Sequence, residues 1–203
     1  MVHVYVASAF SKDNKGGNKA GVVFDRPDLT AEQKMAIAKE LGYSETAFVS
    51  QSDVADFRLE YFTPTEEVPL CGHATIATFS VLWHLGKLDK SEYTFEAKAG
   101  ILRIRVEEDG MIFMEQNLPE YLDILEFEEV TPCFETECKK TSLPVQIVST
   151  GLRDILMPVE SVEVLGAMVP DFQAMTELSH KKNVVGVHAF AITENSDVTA
   201  VCR

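Results

Sequence analysis

Three short segments of the sequence hold residue types that could carry out chemistry. They are Gly17-Asn18-Lys19-Ala20-Gly21, Ser44-Glu45-Thr46-Ala47-Phe48-Val49 and Pro69-Leu70-Cys71-Gly72-His73-Ala74-Thr75. The third is the most informative, because the uncharged run after it predicts that a helix begins at Cys71-Gly72-His73. The free N–H groups and the positive dipole end of a helix favour an anion such as a substrate carboxylate. We therefore expect this helix start to bind a small acidic molecule.

Cys71, Gly72 and His73 each have a functional and a structural interpretation. The electric field at a helix start lowers the pKa of a cysteine, so Cys71 would be a thiolate that acts as a base or nucleophile. Gly72 would let a ligand approach the backbone closely. In the structural interpretation, Cys71 is a small packed residue and His73 is hydrated in the first helical turn. The residue types alone leave both interpretations open.

Glu45 and Asn18 are weaker candidates on the same reasoning. Glu45 lies between a predicted helix end and an apolar strand, where a strand end would present it to a cleft and a partly desolvated carboxyl group can exchange a proton. Asn18 lies among glycines and suits a turn. The glycine-rich segment lacks the GxxxxGK[ST] pattern of a phosphate-binding loop.

The elements that must position these residues can be predicted from local patterns. Strands are expected at His3–Ala7 and Ala20–Phe24, joined by a turn-rich stretch around Asp13. A helix follows, because Thr30 and Gln33 form a capping box and Gly42 supplies a left-handed end.

The rest of the first half predicts a sheet wrapped around one helix. Thr46–Val49 and Phe57–Tyr61 are typical strands, and Leu102–Val106 alternates apolar with charged residues before a hairpin turn into Met111–Met114. The uncharged run Gly72–Gly86 is apolar around much of its circumference, as a helix enclosed by other structure requires.

The second half repeats the order of the first. After the acidic, irregular stretch Tyr121–Lys140, strands are expected at Val145–Ser149 and Ile155–Val159. A helix opened by Pro170-Asp171 and a last pair of strands follow.

Short peptides also recur at an offset of 142 to 144 residues. Ala47-Phe48 and Ser52-Asp53-Val54 reappear as Ala189-Phe190 and Ser196-Asp197-Val198, which favours a duplication. We expect domains at residues 1–116 and 117–203. The second domain would lack a counterpart of the 72–86 helix, because this offset aligns Arg203 with Leu59.

Composition excludes several classes of protein. The 203 residues are 46% hydrophobic and 25% charged, which is typical of one or two globular domains. A formal charge of −14 with no basic stripe argues against nucleic acid as a partner. No uncharged run is long enough for a membrane span and no signal peptide is evident, so a cytoplasmic location is expected. The four cysteines lack metal-site spacing and are interpreted as thiols.

Several segments together resemble the PhzF-like family of phenazine-biosynthesis isomerases. They are Gly17-Asn-Lys-Ala-Gly-Val, Ser44-Glu-Thr-Ala-Phe-Val, Tyr61-Phe-Thr-Pro-Thr-Glu-Glu-Val-Pro-Leu-Cys-Gly-His-Ala-Thr, Ser149-Thr-Gly-Leu and Ala200-Val-Cys-Arg. They occur in the family's order over nearly the whole chain. The block around Cys71 and the upstream Ser-Glu-Thr are the specific ones.

The resemblance implies an α+β fold of the diaminopimelate-epimerase type. In it, two pseudo-symmetric domains each roll a mostly antiparallel or mixed sheet around a central helix, and here the second domain is incomplete. It assigns the role of general acid/base to Glu45, and substrate binding to Asn18, Cys71, Gly72 and His73. The substrate would be a small carboxylate-bearing metabolite. The resemblance implies no cofactor and no metal ion, and by analogy with the family it implies a homodimer.

The sequence departs from the family pattern at two places. Lys19 stands where the family usually has Pro, and the Thr-Gly-Ser-Ala motif that follows the last strand in the family is not reached by Arg203. Two alternative functions stay open: an amino-acid racemase or epimerase with Cys71 as one of two bases, and a non-catalytic binding or interaction protein of the same fold.

Overall fold

The computed structural model describes residues 2–11, 15–26, 28–194 and 198–203. The chain divides into two compact units, residues 1–115 and 116–203. The described part of the chain has no helix long and apolar enough to span a bilayer. The turn expected around Asp13 and the repeated Ser196-Asp197 lie outside the described residues.

The first unit contains an eight-stranded mixed sheet. Its strands are β1 (Tyr5–Ala9), β2 (Asn18–Phe24), β3 (Thr46–Ser50), β4 (Phe57–Phe62), β5 (Glu67–Val68), β6 (Glu92–Ala97), β7 (Gly100–Val106) and β8 (Ile112–Met114). They pair in the order β1-β2-β3-β4-β6-β7-β8, with β5 beside β4. The pairs β2–β3 and β4–β6 are parallel and the others are antiparallel.

The sheet curls around the helix α2 (Gly72–His84), as the sequence predicts. Strands β1 and β8, the two ends of the strand order, both contact α2, which is possible only if the sheet closes around the helix. Residues on several sides of α2 are buried, among them Ala74, Ala77, Phe79 and Leu82. The Phe79 ring also packs against aromatic rings of β4 and β6. The main core of this unit is therefore built around α2.

The outer face of the sheet is covered by α1 (Ala31–Leu41). The capping box of Thr30 and Gln33 and the left-handed Gly42 that the sequence predicts are both present. Because α1 connects the parallel strands β2 and β3, it returns across the sheet and packs on β3 and β4. A second, smaller core forms there around Ala38, Phe48 and Phe62.

This smaller core holds a charged side chain that sequence patterning did not predict to be buried. Lys34 is only 5% exposed, and its Nζ lies 2.6 Å from Oε2 of Glu60 on β4. The rings of Phe48 and Phe62 lie 5.6 and 5.5 Å from Nζ. A buried ammonium needs a counter-ion, and cation–π contacts add to the compensation.

We expect Glu60→Gln to destabilise the first unit by about 2 kcal/mol, because it leaves the Lys34 charge buried without a full counter-ion. Trp83, the single tryptophan of the chain, lies in this unit, so its fluorescence during urea unfolding is the measurement. The exposed Lys98–Glu67 pair provides the control, since Glu67→Gln should change stability by less than about 0.5 kcal/mol. Equal effects of the two substitutions would contradict the prediction.

The second unit is a five-stranded sheet with helices. Its strands are β9 (Glu120–Leu125), β10 (Val145–Ser149), β11 (Arg153–Val159), β12 (Val187–Ile192) and β13 (Ala200–Cys202), in the order β13-β12-β11-β10-β9. Its helices are α3 (Phe127–Val130), α4 (Val162–Ala167) and α5 (Phe172–Lys182). Among the described residues, α4 and α5 each bury one side chain, Leu165 and Leu178, so neither is enclosed as α2 is.

The two units share a strand pattern, which supports the predicted pseudo-symmetry. In the first, β1–β2 is antiparallel, β2–β3 is parallel across a helix and β3–β4 is antiparallel. In the second, β10–β11, β11–β12 and β12–β13 repeat these three relationships in the same order. Ala47 and Ala189 hold matching places, opposite Val22 and Met157 in the two parallel pairs.

Two local expectations need correction. The stretch Tyr121–Lys140, expected to be irregular, contains most of β9 and all of α3. Leu125, Phe127 and Val130 are buried in the core of the second unit, so this stretch contributes to packing although it is rich in acidic residues. Strand β6 was not predicted either, yet it pairs along its whole length with β7.

Candidate active site

Glu45, Cys71 and His73 come together at the amino-terminal end of α2. Glu45 lies immediately before β3, and Cys71 is the N-cap residue of α2. One ligand atom from each of the three side chains lies within 4.8 Å of the other two. We call this group the Glu-Cys-His cluster, and all three residues belong to the first unit.

The His73 ring links the other members of the cluster. Its Nδ1 lies 3.3 Å from Cys71 Sγ, and its Nε2 lies 3.3 Å from Glu45 Oε2 and 3.4 Å from Ser44 Oγ. Burial lowers the pKa of His73, although the Glu45 carboxylate acts in the opposite direction. The ring is therefore neutral at neutral pH, with one nitrogen able to accept a hydrogen bond and the other able to donate one.

The expectation that the helix start makes Cys71 a thiolate is wrong. Burial raises the pKa of the Cys71 thiol to about 12, and the neighbouring Glu45 carboxylate contributes to the rise. The backbone N–H groups at the helix start lower this pKa, but their effect is the smaller one. Cys71 is therefore a protonated thiol at neutral pH, positioned to donate to His73 Nδ1.

The Glu45 carboxylate has one oxygen without a hydrogen bond. Oε2 is buried and has no hydrogen-bond partner among the described residues, although His73 Nε2 lies 3.3 Å away. Most buried polar atoms in proteins are hydrogen-bonded, so such an atom requires an explanation. A lone pair left vacant by the protein suits an atom that must take up a proton from a ligand.

Buried hydroxyl groups hold the start of α2 in place. Thr75 Oγ1 donates to the Cys71 carbonyl oxygen at 2.7 Å, and the Tyr61 hydroxyl lies 2.6 Å from the same Oγ1. Burial raises the pKa of Tyr61. Tyr61 and Thr75 were not predicted to serve the site. Neither was Ser44, although it stands next to Glu45 in the motif.

The other two predicted site residues lie in open positions. Gly72 is exposed, and a Cβ atom at this position would meet no atom within 4 Å, so a ligand has room to approach the backbone. Asn18 is exposed at the start of β2. Among the contacts between described residues, none joins Asn18 to the Glu-Cys-His cluster.

The lowered pKa of His73 makes a prediction about acid stability. The folded chain binds a proton at His73 less readily than the unfolded chain does. The contribution of His73 to the free energy of unfolding is therefore fully present above its ordinary pKa of about 6.5 and is lost as the pH falls below that value. We expect His73→Gln to weaken the loss of stability below that pH, measured by urea unfolding with Trp83 fluorescence. The same acid dependence in His73→Gln and the wild type would contradict the prediction.

Comparison with known proteins places the chain in a family. The model of the family described as phenazine biosynthesis-like protein matches residues 7–201. The chain belongs to the PhzF family. An uncharacterized isomerase of Escherichia coli K12, YddE, is 36% identical over 204 residues, which are 97% of this chain and 69% of YddE. Further curated PhzF relatives are also named isomerases, so the general class of the enzyme is an isomerase.

Solved structures agree with the fold. The PhzF family protein of Bacillus anthracis has a TM-score of 0.87 and 35% identity, over 98% of this chain and 70% of that one. A probable proline racemase of Agrobacterium radiobacter has a TM-score of 0.59 at 11% identity, over 100% of this chain and 69% of that one. The second likeness concerns the fold alone, and it is consistent with the predicted diaminopimelate-epimerase architecture of the PhzF family.

Proposed function

We propose that the chain is a cofactor-independent isomerase that moves a proton on a small carboxylate-bearing metabolite, with Glu45 as the single general acid/base. The observation that carries this proposal is Glu45 Oε2, a buried carboxylate oxygen with no hydrogen bond from the described residues. A base must keep its lone pair free until the substrate arrives and must lie within hydrogen-bond reach of the proton. Oε2 meets the first condition in the free protein.

The surroundings of Glu45 support a substrate with an acidic group. The first N–H groups of α2 have no partner within the helix and carry its positive dipole end, which favours a carboxylate. Gly72 leaves room for that carboxylate. Asn18 is proposed as a further substrate-binding residue. Strands β2 and β3 run parallel, with Gly21 opposite Thr46. Asn18 and Glu45 therefore both lie at the amino-terminal ends of these two neighbouring strands.

The alternative of a racemase with Cys71 as a base is less well supported. A thiol with a pKa of about 12 is almost entirely protonated at neutral pH, so it can donate a proton but is a poor acceptor. The proposed mechanism therefore assigns both removal and return of the proton to Glu45, and a neutral positioning role beside it to His73 and Cys71. The cytoplasmic location and the homodimer stay predictions.

The test is exchange of substrate hydrogen with solvent. The 203-residue chain is incubated in deuterated water with a panel of small carboxylates, both α-amino acids and unsaturated cyclic acids, and proton NMR follows the loss of C–H signals. We expect one subset of the panel to incorporate deuterium. Binding of panel members without any exchange would contradict the proposal and favour the non-catalytic alternative.

A further inference from the structure

The sheet of the second unit has one covered face and one open face. Residues opposite each other on paired strands lie on the same face of a sheet, and neighbours along one strand lie on opposite faces. On the covered face, Ile155, Met157 and Ala189 are at most 3% exposed and belong to the core that includes Leu165 of α4. Among the described residues, that core holds side chains of α3, α4 and α5 and none from the opposite face of the sheet.

The opposite face, which we call the open face, is rich in apolar side chains. Tyr121, Ile124 and Ile192 are 69%, 68% and 54% exposed. The register of the strands places on the open face the apolar residues Tyr121, Ile124, Val148, Leu156, Phe190 and Ile192. Large apolar patches are rare on monomeric proteins and mark interaction sites. The open face is therefore a candidate surface for association.

Little of the charge of the chain lies on the open face. Of the residues that the strand register places there, one is a carboxylate, Asp154, and one is a basic group, His188, whereas the whole chain has a formal charge of −14. Burial raises the pKa of Asp154, and the nearby His188 opposes this rise. A surface with one acidic and one basic group close together is self-complementary about a two-fold axis, because each group can face the opposite charge of a second copy. This favours a second copy of the chain as the occupant.

The size of the open face is sufficient for a weak dimer. The five strands are 3 to 7 residues long. At about 4.8 Å between strands and about 3.3 Å per residue, the sheet spans roughly 24 Å by 18 Å. Two such faces bury about 900 Å² in projection, and more in accessible area because side chains stand out from the plane. A specific interface needs about 1,000 Å² in total, and weak complexes lie at this end of the range.

We propose that the chain forms a two-fold homodimer in which the open faces of two copies pack on each other. The same surface of both copies makes the contact, as a two-fold axis requires, and the two sheets stack about 10 Å apart as in a β-sandwich. Removal of the apolar side chains from water supplies the favourable free energy. The dimer does not depend on the proposed isomerase activity.

Sedimentation velocity of the 203-residue chain over a range of concentrations tests for the dimer. A reductant is present, so that no disulfide at the exposed Cys202 links two copies. We expect a reversible equilibrium of monomer and dimer with a Kd in the micromolar range, as fits an interface of this size. A monomer at every concentration up to the millimolar range would overturn the proposal in favour of an apolar segment of another protein as the occupant.

Matched isoleucine variants show which surface forms the dimer. Ile124→Glu and Ile192→Glu each place a carboxylate where dimerisation would bury it, so we expect each to weaken the dimer by about tenfold or more. Ile101→Glu is the control and should leave the Kd nearly unchanged, because Ile101 lies on β7 of the first unit, is 55% exposed and acquires the same charge. Circular dichroism verifies that each variant is folded. Equal weakening by all three substitutions, or weakening by Ile101→Glu alone, would overturn the proposal.

Cys202 reports directly on the open face, because it lies opposite Phe190 on the neighbouring strand. With excess iodoacetamide, we expect rapid alkylation of Cys202 in dilute protein and a slower rate as the protein concentration rises through the Kd. In Ile124→Glu, the rate should stay at its dilute value over the same range. An alkylation rate that is the same in monomer and dimer would show that the dimer uses another surface, and the proposal would fail.

Discussion

Replacing Glu45 with Gln is expected to slow deuterium exchange into the substrate by about 10³-fold, because general acid/base groups contribute roughly 10²–10⁴ to the rate. The amide is close in size to the carboxylate but has no basic oxygen. Substrate affinity should fall much less than the rate, since the helix start rather than Glu45 is proposed to bind the substrate carboxylate. NMR exchange rates with the responding panel member measure the effect, and titration calorimetry measures the affinity.

Two further variants sharpen this test. Glu40→Gln, an exposed carboxylate near the end of α1, serves as the control and should exchange at the wild-type rate. Cys71→Ala separates the mechanisms, because a two-base racemase needs the thiol and the single-carboxylate mechanism does not. If Glu45→Gln still exchanges and Cys71→Ala does not, the proposed role of Glu45 is refuted.

Cys71 is expected to resist alkylation in the folded chain by a factor of about 10³ or more. Its pKa rises from an ordinary value of 9.0 to about 12, and each unit removes about nine-tenths of the remaining thiolate near neutral pH. Its burial slows the reagent further. Treatment with iodoacetamide followed by peptide mass spectrometry gives the rate at each cysteine. The exposed Cys202 should react first.

Two further alkylation measurements test why Cys71 is unreactive in the folded chain. In concentrated urea, Cys71 should react as readily as Cys202, because both burial and the neighbouring charge are lost. Glu45→Gln should increase the reactivity of Cys71 in the folded chain, since the Glu45 carboxylate is one cause of the raised pKa. Rapid alkylation of Cys71 in the folded wild type would show that the thiol is ionised, in favour of a nucleophilic or basic role.

Much of the fold can be predicted from the sequence, because its strongest local signals agree with the final packing. The capping box at Thr30, the left-handed end at Gly42 and the uncharged run of α2 all occur as expected. The buried Lys34 shows the limit of such patterns, since its counter-ion Glu60 and its two aromatic neighbours come from strands distant in sequence. A lysine at an exposed position of α1 would give the same pattern in the sequence as the buried Lys34 does.

Three members of the candidate site could be predicted from the sequence, whereas its supporting hydroxyl groups and its electrostatics could not. Motif positions pointed to Glu45, Cys71 and His73, which the structure brings together. The ionisation state of Cys71 was predicted with the wrong sign, because the helix field can be inferred from sequence whereas burial and the distance to Glu45 cannot. Tyr61 and Thr75 lie 14 residues apart, and only the wrapping of β4 under α2 brings their hydroxyl groups within 2.6 Å.

The fixed first turn of α2 has a consequence for the energy of any reaction beside it. Both the amide nitrogen and the hydroxyl group of Thr75 bond to the Cys71 carbonyl oxygen, so the peptide dipoles there have little freedom to rotate. Dipoles that are preorganised stabilise charge developing on a substrate without first spending free energy on reorientation, as water must. The peptide dipoles of this turn are therefore already oriented toward the developing charge before the proton moves.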